Sequence, residues 1–189
     1  MLLDRGDIET KGTVDSVVDR YLNKEMSELT PVINLPNVDG GSPVRNVGLT
    51  LFGQDGKPKA RFLIFEKWRV VLGFELTESI GHVIAGFGLT TTDGTPITTC
   101  WSEAQDLKAG NFEVAFPIDI ALASQGLQLN IGISSNERVL FYSEGVGRVE
   151  IADVAVGQQP IRSRGTGFLC NSHRPIIHSL NGVKDFAGT

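Results

Sequence analysis

The side chains able to do bond-making chemistry are few and scattered along the chain. The three histidines, His82, His173 and His178, form no H-x-x-x-H pair, and no Gly-x-Ser-x-Gly elbow occurs to make one of them a triad base. Metal ligation and nucleophilic catalysis therefore have no motif to stand on. Asp39, Asp55 and Asp93 each precede a glycine, where a short acceptor side chain and a residue tolerant of positive φ build turns rather than calcium sites. The two cysteines, Cys100 and Cys170, lack C-x-x-C spacing and sit among β-type residues, so reduced and mostly buried thiols are expected. Carboxylate pairs for glycoside hydrolysis are defined by spatial separation, and no pair stands out along the chain. No metal and no cofactor are expected, and the chain reads first as a binding module.

Charge and hydropathy narrow the partners. A net charge of −5 with pI near 5.2 disfavours nonspecific nucleic-acid binding, which accumulates Lys and Arg contacts to phosphate, and no basic stripe is visible. Apolar stretches break well before the roughly 20 residues of a spanning helix, so direct membrane insertion is not expected. The start, Met1-Leu-Leu-Asp-Arg-Gly, lacks the basic-then-apolar layout of a signal peptide and reads as cytoplasmic in character. With 41% apolar and 21% charged residues, 189 residues suffice for one well-buried domain plus smaller pieces.

The elements that must position any site are strands. Between Val44 and Val154 apolar residues recur at every second position in short runs separated by Gly- or Asp-Gly-centred turns. The clearest run is Trp68 to Thr77, with Val70, Leu72, Phe74 and Leu76 on one face. Gly81 to Thr92 is read as its partner, with Val83, Ala85, Phe87 and Leu89 inward and His82, Ile84, Gly86, Gly88 and Thr90 outward. Further runs are Val47 to Leu51, Phe62 to Ile64, Pro96 to Trp101, Asn111 to Ile118, Gly126 to Ser134, Arg138 to Ser143 and Gly147 to Val154. The pattern predicts an all-β fold, an antiparallel β-sandwich of immunoglobulin-like or jelly-roll topology, which spacing does not separate.

Ahead of this body, Leu2 to Gly12 predicts a small hairpin turning at Gly6. From Thr13 to about Lys24, Val14, Val17, Val18, Tyr21 and Leu22 fall on one stripe of an amphipathic helix. Residues 26–43 are rich in Pro, Gly, Asn and Ser and suit a linker or an edge segment. Residues 157–189 hold two late runs, Gly165 to Asn171 and Pro175 to Leu180, which read as strands on a tether. Such a tether is placed to pair with the open edge of a second copy, so a homodimer by strand exchange or edge pairing is expected.

Two stretches carry a resemblance. The hairpin followed by a helix ending in Val-x-x-Tyr-Leu resembles the tail of the nucleotide-binding domain of an ABC transporter ATPase. Residues 1–25 are accordingly read as the remnant of a longer subunit. No phosphate-binding Gly-x-x-x-x-Gly-Lys-Ser/Thr loop, no Leu-Ser-Gly-Gly signature and no apolar strand ending in Asp-Glu occur, so these residues do not themselves hydrolyse ATP by that mechanism.

In the body, Val47-Gly-Leu-Thr-Leu-Phe-Gly-Gln-Asp-Gly-Lys-Pro, Phe74-Glu-Leu and Phe87-Gly-Leu-Thr-Thr-Thr-Asp-Gly-Thr-Pro-Ile come first. Leu107-Lys-Ala-Gly-Asn-Phe-Glu-Val-Ala-Phe-Pro-Ile and Gly126-Leu-Gln-Leu-Asn-Ile-Gly-Ile follow. In this order they resemble the C-terminal polysaccharide-binding domain of the ATP-binding subunit of O-antigen exporters, the Wzt type, over residues 44–156.

That resemblance implies a noncatalytic cytoplasmic module, peripheral at the inner membrane. It would hold a lipid-linked O-antigen polysaccharide by its terminal structure and act with the exporter's transmembrane subunit. Such a site needs aromatic faces for sugar C–H surfaces and planar polar groups for hydroxyls on a rigid sheet. The residues available for it are Trp101, Tyr142, His82, Glu75, Gln128, Asn130, Arg138 and Trp68. Alternation places similar polar residues on any solvated sheet face, and Trp68 equally suits the edge of the core. A dimerisation or regulatory domain of an ABC ATPase without sugar contact is the alternative, and a secreted-type lectin or carbohydrate-binding module of an enzyme is the third reading.

Overall fold

The computed structural model describes residues 2–4, 7–10, 29–37, 41–157 and 167–170. A short antiparallel hairpin, β1 (Leu2–Asp4) with β2 (Asp7–Thr10), opens the chain in the place its apolar runs predict. The helix expected from Thr13 to Lys24 lies outside the described residues, and no helix occurs among them.

Two sheets make the body. The four-stranded sheet has the order β10 (Gly110–Ile118), β6 (Trp68–Leu76), β4 (Val44–Gly53), β3 (Val32–Asn34). The larger sheet runs β5 (Arg61–Ile64), β12 (Arg138–Ala155), β11 (Gln125–Ser135), β7 (Ile80–Thr91), β8 (Pro96–Trp101), with β9 (Gln105–Leu107) also on β7. Their apolar faces share one core, a layout consistent with a β-sandwich. Aromatic pairs tie the layers together. Phe62 of β5 stacks on Trp68 of β6 with centroids 4.3 Å apart, and Phe87 of β7 meets Phe116 of β10 at 5.7 Å.

The inward positions read from alternation are the buried ones. Val70, Leu72, Phe74 and Leu76 on β6, Val83, Ala85, Phe87 and Leu89 on β7, and Leu127, Leu129, Ile131 and Ile133 on β11 all belong to the core. Phe112 and Val114, on the edge strand β10, are only half buried but pack against it. Gly56 (φ 75°) and Gly94 (φ 86°) close the two Asp-Gly turns, where Asp55 accepts the Lys57 amide and Asp93 bonds the Thr91 hydroxyl. Asp39 lies outside the described residues. Cys100 and Cys170 are unpaired, half buried and packed against the core.

Four expectations need correction. First, β7 is not the partner of β6. β6 pairs β10 and β4, whereas β7 pairs β11, β8 and β9 in the opposite layer. Both strands bury one face, and residues 77–79 carry the chain from one layer to the other rather than folding it back as a hairpin. Second, the larger sheet is mixed, because β5 runs parallel to β12. Third, the two runs from Arg138 to Val154 are a single strand. Its pairing with β11 jumps from Leu129↔Gly147 to Ile131↔Ser143, which expels a bulge around Gly145 (φ 60°). Fourth, the span between the expected runs Pro96 to Trp101 and Asn111 to Ile118 is not strand-free but holds β9, whose three residues with little apolar content give no period. The stretch read as a linker or edge segment contains β3, the edge of the smaller sheet. Of the late runs, Leu169 forms only an isolated bridge to Leu122, and Pro175 to Leu180 lies outside the described residues.

Phe62 is fully buried against Trp68. Phe62→Ala is expected to cost about 3–5 kcal/mol, measured by urea unfolding. The emission of Trp68 should move toward that of a wetter indole in the same variant.

Candidate functional site

The outer face of the larger sheet carries the one feature that alternation alone does not explain. With the inward residues of β7 and β11 buried, the outward ones are Ile84, Gly86, Gly88 and Thr90 on β7 and Gln128, Asn130, Gly132 and Ser134 on β11. The ladder sets them in rows across four strands. In one row Trp101 faces Gly86, Gly86 faces Gly132, and Gly132 faces Tyr142. In the next, Thr99 faces Gly88 and Gly88 faces Asn130. Two large rings thus stand on the outer strands and bare backbone lies between them. Three interstrand steps put their Cα atoms roughly 14 Å apart.

The rings lean inward over the glycines. A Cβ on Gly86 would lie 3.4 Å from Trp101 Cδ1, and one on Gly132 would lie 3.3 Å from Tyr142 Cδ2. A Cβ at Gly86 would just touch the Trp101 ring and one at Gly132 would press on the Tyr142 ring, so side chains longer than alanine at either position would displace a ring. The result is a cleft of about 420 Å³ with glycine backbone as floor, inside the range of small-ligand sites. Ile84 and Val139 line one end, and Thr90, Gly94, Pro96 and Gln128 line the other. Trp101 is 70% exposed and Tyr142 58% exposed. Two large aromatics left this open at opposite walls of one cleft are costly surface unless something covers them.

The walls are held by polar contacts. The Tyr142 hydroxyl donates to Glu144 Oε1 at 2.6 Å, and this bond to a carboxylate raises the tyrosine pKa above its ordinary value. Glu144 belongs to the β12 bulge, and the bulge is pinned by Asn130, whose Oδ1 accepts the Gly145 amide at 2.8 Å. At the far end the β7–β8 turn is closed by the Thr91 hydroxyl. That hydroxyl accepts the Thr95 amide at 2.9 Å and bonds the Asp93 carboxylate, lowering the aspartate pKa.

The structure brings together four of the eight residues read from the sequence. Trp101, Tyr142, Gln128 and Asn130 line the cleft. Asn130 also shapes it through the bulge. His82 lies on the same sheet but at the start of β7, outside the cleft, with φ 51° and its amide donating to Asp106 Oδ1 at 2.8 Å. Arg138, exposed at the start of β12 opposite Ser135, is just beyond the cleft. Glu75 is on the other layer, where it accepts a hydrogen bond from Asn46 at 2.6 Å. Trp68 is 4% exposed and takes the core position that its strand-entrance location also allowed.

Sequence reasoning did not single out Gly86, Gly88, Gly132 or Glu144. Alternation marked Gly86 and Gly88 as outward, but that Gly86 faces Gly132 and Gly88 faces Asn130 is a matter of register, which spacing does not contain. Among the described residues no cluster of His, Cys, Asp or Glu could hold a metal, no buried polar side-chain atom lacks a partner, and no helix is long and apolar enough to cross a membrane.

Gly132→Val is expected to swing Tyr142 outward and fill the floor while leaving unfolding free energy within about 1 kcal/mol of the parent, since a β-branched residue suits an outward mid-strand position. Absorbance titration should find Tyr142 ionising above the ordinary tyrosine range. Glu144→Ala should bring that ionisation back down, because the hydrogen bond and the charge that oppose it are both gone.

No family model matches the sequence and no curated protein matches it. Among solved structures, the C-terminal domain of Wzt superposes with a TM-score of 0.62 at 12% identity, covering 74% of this chain and 86% of that one. A β-glucosidase from Listeria innocua, solved with gluconolactone, matches 58% of this chain and 16% of its own at TM-score 0.36 and 16% identity, too low to carry an argument. The protein has the fold of the C-terminal domain of Wzt.

Proposed function

We propose that this is a noncatalytic carbohydrate-binding domain that holds an O-antigen polysaccharide by its terminal structure for export by an ABC transporter. The observation that carries this reading is the row Trp101, Gly86, Gly132, Tyr142. Pyranose rings present flat C–H faces edged by hydroxyls. Two exposed aromatic faces supply stacking for the former, and Gln128, Thr90, Thr99 and Asn130 supply planar amides and hydroxyls for the latter. A cleft of about 420 Å³ suits a short determinant such as a chain end better than a long run of repeats.

The fold shared with the Wzt C-terminal domain supports the setting. In that setting residues 1–25 are the tail of an ATP-binding domain, residues 26–43 connect it, residues 44–156 bind the glycan, and residues 157–189 pair with a second copy. The β1–β2 hairpin is in the place that the tail reading requires. The partners are then the lipid-linked polysaccharide, the transmembrane subunit of the exporter and a second protomer. The location is the cytoplasmic side of the inner membrane. The domain makes and breaks no bonds, and its contribution to transport is recognition.

Titration with the O-polysaccharide of the producing cell, followed by tryptophan fluorescence, tests this. Binding should change the emission of the exposed Trp101 and leave that of buried Trp68 alone. Trp101→Ala should weaken binding by about tenfold or more, as expected for a central aromatic anchor, with little change in stability. No binding and unmoved fluorescence would favour a dimerisation or regulatory domain without sugar contact.

A further inference from the structure

The charge distribution of the cleft adds a restriction on its ligand. Among the described residues that line it, Glu144 is the sole ionisable acid or base apart from the phenol of Tyr142, and no Lys, Arg or His takes part. Its carboxylate is not free to turn away. One oxygen accepts the Tyr142 hydroxyl, and its backbone belongs to the bulge that Asn130 pins through Gly145. The negative charge therefore sits beside the ring on which a sugar would stack. Two arginines lie nearby but outside the lining: Arg148, which faces no residue of the aromatic row and is paired with Gln128, and Arg138, paired with Ser135.

We infer that the cleft takes an uncharged pyranose and discriminates against acidic sugars, with Glu144 as the specificity-determining residue. This rests on the glycan-binding reading above. A carboxylate or phosphate on a stacked ring would be brought within a few ångströms of Glu144 with no cation in the lining to offset it. Like charges at that range repel in inverse proportion to the local dielectric, and the half-enclosed cleft weakens solvent screening. A neutral ring meets no such repulsion, and its hydroxyls can donate to the second oxygen of Glu144.

The test uses the full chain on an array of bacterial oligosaccharides printed as matched pairs, each neutral pyranose beside its uronic acid counterpart. The parent protein should retain neutral members, with acidic counterparts weaker by about tenfold at low salt and the gap narrowing as salt rises. Glu144→Gln, which keeps an oxygen for the Tyr142 hydroxyl, should narrow the gap at low salt by raising the retention of the acidic members. Should that variant fail to fold, the salt dependence of the parent decides. Equal retention of both members, or preference for the acidic one, would overturn the inference while leaving glycan binding in place. Retention of neither member would overturn the glycan-binding reading itself, and this inference with it.

Discussion

The register between β7 and β11 is the constraint on which the rest depends. Nine consecutive pairs, from Leu127↔Thr91 to Ser135↔Val83, join these central strands without a break. Their inner apolar residues are all part of the shared core, with Thr91 and Ser135 buried at its two ends. Because side chains alternate with a period of two, a slip of one residue between the two strands would turn one strand over, exposing either Phe87 with Leu89 or Leu129 with Ile131 and burying outward residues such as Gly86 or Gly132 in their place. Burial of the inner face therefore dictates what the outer face displays. Gly86 facing Gly132 is the outer consequence of Phe87 facing Ile131.

From that register the cleft follows with little further instruction. β8 and β12 flank the central pair, so whatever occupies their positions in the Gly86–Gly132 row becomes a wall. Those positions hold Trp101 and Tyr142. The glycines are not there to supply unusual backbone angles; they leave room for the rings to lie down on the sheet. The bulge in β12 then adds the one polar anchor that alternation could not supply, Glu144 beside the Tyr142 hydroxyl. A site built this way is rigid before any ligand arrives, which limits the entropy lost on binding.

Much of this was legible in the sequence, and what was not has a physical reason. Alternation located almost every long strand and its buried face, because burial of one side of a sheet leaves a period that composition cannot disguise. It placed Tyr142, Gln128 and Asn130 outward for the same reason, while Trp101 is singled out by residue type at the exit of a strand. It failed where information is long-range. The assignment of β6 and β7 to opposite layers, and the parallel pairing of β5 with β12, depend on contacts between distant segments. Residue type makes Trp68 a site candidate and outward alternation makes Glu75 one, yet Trp68 stacks on Phe62 inside the core and Glu75 lies on the other sheet. Residue type names what a side chain can do, and only register says beside whom.

The central claim is that the outer face of the larger sheet, at the aromatic–glycine row, is where a glycan sits. Amide chemical-shift mapping by NMR with the producing cell's O-polysaccharide tests it most directly, since glycine amides resolve well and report on the floor itself. The account predicts the largest shifts at Gly86, Gly88 and Gly132 and at the Trp101 indole. Shifts concentrated on the outer face of the four-stranded sheet, or spread evenly with none at these glycines, would contradict it.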